Sequence, residues 1–445
     1  MRLTAALLLA AAVLAAQERP IAFTGARIVP ITGAELSEGV VVVHRGKITA
    51  LGGPQTAIPA NAERINAAGK VIMPGLVDSH SHIGQVEGAD SSAPIQPDVR
   101  ALDAINPRAS SIRRARAGGI TTVNVMPGSG HLLSGQTVYL KLREGARIDD
   151  LLIPLADGTP AGGIKMANGT NPRRTAPFPG TRAKAAALVR EQFIRAQEYQ
   201  KKVADAGGDA AKLPPRDLRL EALGEVLSGK RVVHHHTHRH DDILTVLRLA
   251  EEFKFRVVLH HVSDGWMVAD EIAKANTLGA SLILIDSPGG KLEAKDNRLV
   301  TGGVLDRAGV NTGFHTDDGV TDSRWFFRMA ALGVRAGMGR EKALYGLTMA
   351  NAKMLELDNR VGSLEVGKDA DLLVLSGDPL SVYTKVEQTW IEGRKVYDIT
   401  RPEDRLALTG GFGAGGDGAL MHLDECGGFT LGLDFRNLNL SGELD

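Results

Sequence analysis

Apolar residues along the chain fall into short runs broken by glycine, and the runs change style twice. Near the start, "IAFTGARIVP", "GVVVVHRGKITALGG" and "ERINAAGKVIMPG" are β-branched, Gly-bounded and too short for helices, so they read as strands. The same style returns in "VGSLEVGKDADLLVLSGDP" and "KVEQTWIEGRKVYD", with Glu392-Gly393 as a tight hairpin turn. The two β-rich ends therefore predict one small domain, with the middle of the chain inserted between them.

The middle alternates between strand and helix patterns. "GGITTVNVMPG", "GGIKMANGTNP", "KRVVHHHTH", "FRVVLHHV", "SLILIDSPGG" and "AGVNTGFHTDD" read as strands. Ile243, Leu247 and Ala250 fall at helical spacing, and a second helix is predicted from about Trp266 to Asn276. Such alternation implies parallel βαβ units. Counting from "VIMPGLVDSH", and including a strand near "TVYLKLR", gives eight, which predicts a (β/α)8 TIM barrel; a doubly wound open sheet is the alternative. An insertion runs between Asn168 and Arg216. Within it "TRAKAAALVREQFIRAQEYQKKVADA" predicts a helix capped by Thr181, expected to stand above the C-terminal face of the barrel.

Composition narrows the function classes. The 445 residues carry zero formal net charge, so no basic field points to nucleic acid. Cys426 is the lone cysteine, which excludes a disulfide framework and a Cys-type zinc site. Any metal must be held by His, Asp, Glu or a modified Lys. Residues 1–16 combine Arg2 with the apolar stretch Leu3 to Leu14 and small residues at Ala15 and Ala16. They read as a cleavable export leader, too short to span a bilayer, and predict a periplasmic or secreted protein with no membrane span in its mature form. A buried N-terminal helix is the alternative. Residues 401–445 form a Gly-rich tail to which the pattern assigns no fold.

The histidines carry the chemistry. On a strand, residues i and i+2 share a face, so His80 and His82 point one way and form a natural chelate for a divalent cation. An isolated pair of this kind more often satisfies core hydrogen bonds. Here "VVHHHTHRHDD" adds His234, His236, His238 and His240, "VLHHV" adds His260 and His261, and "FHTDDG" adds His315 and Asp317. Strand alternation allows only one of His260 and His261 to face inward. Lys165 sits at a strand end in an apolar run, where burial favours the neutral amine, which can take up carbon dioxide as a carbamate. Snorkelling, or binding a substrate carboxylate, are the alternatives for Lys165. In the loop "VNVMPGSGHLLSGQ", Asn124, His131 and Gln136 are candidate substrate contacts, with a plain Gly-rich turn as the alternative. Arg324 either binds a substrate carboxylate or pairs within its own helix.

With these residues in view, the chain resembles the amidohydrolase superfamily, in its imidazolonepropionase-like and metal-dependent dipeptidase branch. "VIMPGLVDSHSH" is similar to the family's first-strand signature, and "GSLEVGKDADLLVLSGDP" and "TWIEGRKVYD" to its closing β-domain. The resemblance spans about Ile21 to Asp398. It implies a TIM barrel over residues 74–357 and a small β-sandwich from residues 17–73 and 358–400. It also implies metal ligands at His80, His82, Lys165 (carboxylated), His236, His261 and Asp317. The strand-five register stays open between His234 and His236, and Asp318 stands beside Asp317.

The implied activity is metal-dependent hydrolysis of a non-ester C–N bond in a small molecule: an amide, cyclic amide or dipeptide. One or two divalent cations, zinc by expectation, would acidify a water toward pKa about 7. Asp317 would act as general base and then acid, and His238 would hydrogen-bond the tetrahedral intermediate. A deaminase of an amino-substituted ring and a noncatalytic metal-binding barrel are the alternatives. Self-association into a homo-oligomer is compatible with the sequence.

Overall fold

The computed structural model describes residues 19–84, 90, 92–284 and 292–410. The leader and all but the first ten residues of the Gly-rich tail lie outside the described residues. The two β-rich ends meet in one eight-stranded sheet. Its order runs Arg394–Asp398, Val386–Ile391, Leu372–Leu375, Val71–Pro74, Ile21–Ile28, Leu36–His44 and Lys47–Gly52, with Glu63–Asn66 also paired to Ile21–Ile28. Alternation sends Phe23 into one apolar cluster with Val41 and Trp390, and Ala22 into another with Val40 and Val42, so the sheet is buried on both faces. The Glu392-Gly393 turn holds both residues at positive φ, 49° and 70°, as a tight hairpin requires.

Gly75 marks the passage from this sheet into the second body of the molecule. A side chain there would come within 2.2 Å of Thr121 Oγ1, so only glycine fits. Beyond it run β1 (Leu76–Ser81), β2 (Ile120–Val125), β3 (Leu133–Gln136), β4 (Val138–Lys141) and β5 (Ile164–Ala167). Then come β6 (Val233–Thr237), β7 (Val257–His261), β8 (Thr277–Leu282) and β9 (Thr312–Phe314). β1 pairs with β2, and β5 to β9 pair in sequence, all parallel. The segment near "TVYLKLR" departs from the expected parallel strand. β4 runs antiparallel to β2, and β3 antiparallel to β5, so one continuous segment bridges the two ladders. Its direction is reversed because no helix precedes it to carry the chain back, which a parallel connection needs.

The other seam, between β9 and β1, is bridged just past the strand ends. Asp317 N donates to His80 O (2.9 Å), and His82 N to Asp318 O (3.2 Å). Asn351 Nδ2 donates to both Val77 O and Phe314 O (2.6 Å each). Buried Asp78 accepts from Thr316 Oγ1 (2.5 Å) and Thr316 N (3.2 Å) across the same seam.

The long insertion helix, α1 (Arg182–Asp205), has the expected cap: Thr181 Oγ1 accepts from Lys184 N. It does not stand over the strand tips. It lies on the flank against α2 (Leu218–Leu227) and α3 (His240–Phe253), with Phe193 stacked on Phe253 and Phe255 at 5.0 and 5.2 Å. Burying its apolar face there makes it part of the β5–β6 crossover.

Candidate active site

The strand tips of β1, β6, β7 and β9 converge on a cluster of buried histidines around Asp317. His80 Nε2 and His82 Nε2 lie 3.2 and 2.9 Å from Asp317 Oδ1. His82 Nδ1 is 2.7 Å from the carbonyl of Met126. A carbonyl only accepts, so that nitrogen carries the proton, and a neutral His82 turns the lone pair of Nε2 toward a carboxylate oxygen. Two bare lone pairs at 2.9 Å would repel, so either a proton or a cation lies between them. Asp317 reaches this place because its backbone turns to φ 51°. Asp318 turns away and accepts from Ser323 N (2.9 Å) and Ser323 Oγ (2.5 Å).

Facing this group, His236, His238 and His261 bring one donor atom each to within 4.8 Å of one another. The rings of His236 and His261 are 4.2 Å apart. His238 Nδ1 pairs with Ser263 Oγ (2.8 Å), and Asn171 Nδ2 lies 3.3 Å from His236 Nε2 and donates to Ser129 Oγ (2.7 Å). The Ser263 hydroxyl is the kind of outer partner that orients a ligating ring, whereas the Asn171 amide is a donor and takes a lone pair of His236 Nε2. His261 Nε2, 3.9 Å from Asp317 Oδ2, spans the two groups. Lys165 is fully buried, with Nζ 2.9 Å from His80 Nε2 and 3.0 Å from Met126 Sδ. All six side chains that the resemblance implies as ligands thus stand in one buried cluster.

His260 departs from the sequence reading. Both it and His261 face inward, because His261 takes φ 73° and Val262 φ 49°, which breaks the alternation at the end of β7. His260 joins His80, His234 and His315 in a tier below the mouth, with rings 4.9, 5.2 and 5.4 Å from it. Tyr139 OH reaches His234 Nε2 at 2.8 Å, and His234 Nδ1 reaches His260 Nε2 at 3.0 Å. The clue to this tier was the i, i+2 spacing of His234 to His236 and of His315 to Asp317.

Burial pushes these rings toward neutrality. His80, His260 and His261 are held well below the ordinary imidazole range by burial, and His234 and His315 are lowered to about 3 by the same cause. Neutral imidazoles keep the lone pairs a cation needs. Burial alone would raise the Asp317 carboxyl, but the rings packed on it, His80 first, then His82 and His261, outweigh burial and hold it well below the ordinary carboxylate range. The donor set of imidazoles, one carboxylate and a buried amine suits zinc or a similar cation.

Three expected substrate contacts stand elsewhere or do other work. Gln136 lies at the far end of β5, where Gln136 Nε2 donates to Pro97 O (3.2 Å), and it does not reach the cluster. Arg324 forks onto Asp322 and donates to the carbonyls of Ala407, Leu408 and Gly410, so its guanidinium is spent inside the fold. Asn124 ties β2 to β1 through Ser79 O (3.0 Å). His131 is buried beside Phe178, ring to ring 5.2 Å, in the loop whose Ser129 meets Asn171. Burial and then the charge of Arg174 lower it to about 4.

Comparison with known proteins follows the same lines. The sequence profile of the Amidohydrolase family matches residues 71–396. "Amidohydrolase tasK" of Hapsidospora irregularis is 29% identical over 404 residues, 82% of this chain but only 41% of that protein. The imidazolonepropionase of Rhizobium rhizogenes is 24% identical over 386 residues, 78% of this chain and 89% of the relative. The crystal structure of an amidohydrolase from Thermotoga maritima superposes with a TM-score of 0.80 at 34% identity, covering 85% of this chain and all of that one.

Proposed function

The chain belongs to the amidohydrolase family and is a hydrolase of C–N bonds, and from that premise we propose that it cleaves amide bonds of small N-acyl or dipeptide substrates with two zinc ions. His80, His82 and Asp317 would hold one ion, and His236, His238 and His261 the other, with Lys165 as a carbamate between them. This reading counts His238 as a ligand. When bound, the ions supply an acidified water and polarise the scissile carbonyl.

The remaining work belongs to the chain. Asp317, held as a carboxylate, accepts a proton at Oδ1 or Oδ2 from the attacking water and passes it to the leaving nitrogen. Ser263 and the Met126 carbonyl hold His238 and His82 in one orientation, so no reorganisation is needed during turnover. The ligands are almost wholly buried, which keeps bulk water out and strengthens each charge interaction. The β ladders, joined through the antiparallel β3–β4 segment and the Asp317–His80 seam, read as a closed eight-position barrel with one reversed stave. The leader reads as an export signal, which N-terminal sequencing of secreted protein, beginning at Ala16 or Gln17, would test.

The observation that carries this function is the 2.9 Å approach of His82 Nε2 to Asp317 Oδ1 while His82 Nδ1 is committed to a carbonyl. The test is metal analysis of purified protein followed by two substrate panels. Amine release from dipeptides or N-acyl amino acids, dependent on bound metal, is the expected result. Ammonia release from amino-substituted rings alone would replace it with the deaminase reading, and turnover at full rate in metal-free protein would overturn both.

A further inference from the structure

Of the tier below the mouth, His260 and His315 take no part in the reaction just described, and His80 takes part with one ring nitrogen only. His80, His260 and His315 are almost wholly buried and offer one ring nitrogen each, all within 4.8 Å of one another. Each ring has one nitrogen engaged and one without a hydrogen-bond partner. His260 Nε2 meets His234 Nδ1 at 3.0 Å, and His234 in turn meets Tyr139 OH; His260 Nδ1 has no partner. His315 Nδ1 meets Ser281 Oγ at 3.0 Å, and Ser281 meets Ser79 Oγ at 2.8 Å; His315 Nε2 has no partner. His80 Nε2 faces Lys165 and Asp317, and its Nδ1 has no partner.

A histidine that ligates a metal characteristically donates its other ring N–H to a fixed acceptor. His260 and His315 each have one ring nitrogen held by a fixed partner, His234 Nδ1 and Ser281 Oγ, which leaves the other nitrogen for an ion. Three orphaned polar atoms in one buried place are otherwise a cost that folded proteins avoid.

We propose that His80, His260 and His315 form an inner three-nitrogen site for a borderline transition-metal ion, separate from the cations of the mouth. Three imidazoles with no carboxylate among them suit zinc or copper rather than magnesium or calcium. His260 stands at 85° to His80 and 76° to His315, as ligands around one ion do. His80 and His315 are stacked at 19°, so closing on an ion turns one of them about its Cβ–Cγ bond. His80 is the one ring placed to serve both sites. With both filled it becomes a bridging imidazolate, its ring proton released to solvent.

The proposal shares His80 with the mouth site but does not need the mouth to be catalytic. Crystals of the full chain soaked in Zn2+ and measured at the zinc edge should show anomalous density among the three rings, about 2.0–2.1 Å from their nitrogens. The double variant His260→Gln, His315→Gln should bind one fewer equivalent of Zn2+ than the wild type. No density among these rings at saturating Zn2+ overturns the proposal. An unchanged zinc count in a folded double variant does the same. Should that variant fail to fold, the wild-type map decides alone. Density in the inner site with an empty mouth would uphold this proposal while sinking the two-zinc reading.

Discussion

Asp317 sits where one residue's backbone decides the chemistry. Its positive φ swings the carboxylate back over β1, where His80 and His82 hold it, while Asp318 leaves toward Ser323. Asp317→Asn keeps the shape and removes the carboxylate proposed above as proton acceptor. Its kcat on an amide substrate should fall about 10²–10⁴-fold, the usual worth of a general base. Turnover within threefold of the wild type would show that another group carries the proton. The place of Asp317 beside His80 and His82 was legible in the i, i+2 rule and the family-like "HTDD". The inward turn of both His260 and His261 was not, since alternation holds only while the backbone stays extended. Gln136 failed for a related reason: its loop folds back as β3, antiparallel to β5, and carries the amide to the far end of the strand.

At the level of elements, sequence pattern found most of the strands but predicted all of the barrel strands parallel, and it read Leu133–Gln136 as loop. "TVYLKLR" has the alternation of a strand whether it runs up or down, and only the pairing with β2 and β5 reveals the reversal. The long helix was legible in full, cap included, but its placement depended on the partners of Phe193. Arg324 belongs to this scale as well. Its fork onto Asp322 and its bonds to three carbonyls fasten the end of the helix Pro402–Thr409 to the strand–helix body. Arg324→Ala should therefore speed amide hydrogen exchange in residues 402–409 severalfold, because charge-assisted bonds there are lost. It should leave KM within about twofold of the wild type. A large rise in KM with unchanged exchange would restore the substrate-binding role.

Across the whole molecule, the end sheet and the strand–helix body are joined by a buried ionic knot. Lys141, at the end of β4, reaches Asp369 at 2.5 Å, Asp371 at 3.1 Å and Glu392 at 3.4 Å. Asp369 also takes Lys47 from the end sheet (2.6 Å) and Arg360 (3.0 Å), while Arg143 holds Glu392 (2.7 Å). Burial would raise the Asp369 carboxyl, but Lys141, then Lys47 and Arg360, outweigh it and hold it at about 2. An unfolded aspartate titrates near 3.9. The folded form is therefore the stronger acid. Its contribution is present in full above about pH 4 and is lost as the pH falls toward 2. A shift of that size corresponds to about 2–3 kcal/mol. Asp369→Asn should lower the urea midpoint at pH 7 and flatten the decline of stability between about pH 4 and pH 2. Charge removal leaves Lys141 with Asp371 and Glu392, so the loss at pH 7 should stay below the roughly 3–5 kcal/mol seen when a buried ion is left alone. A variant whose stability falls as steeply as the wild type over that acid window would place the pH response outside this knot, and with it the coupling between the two bodies.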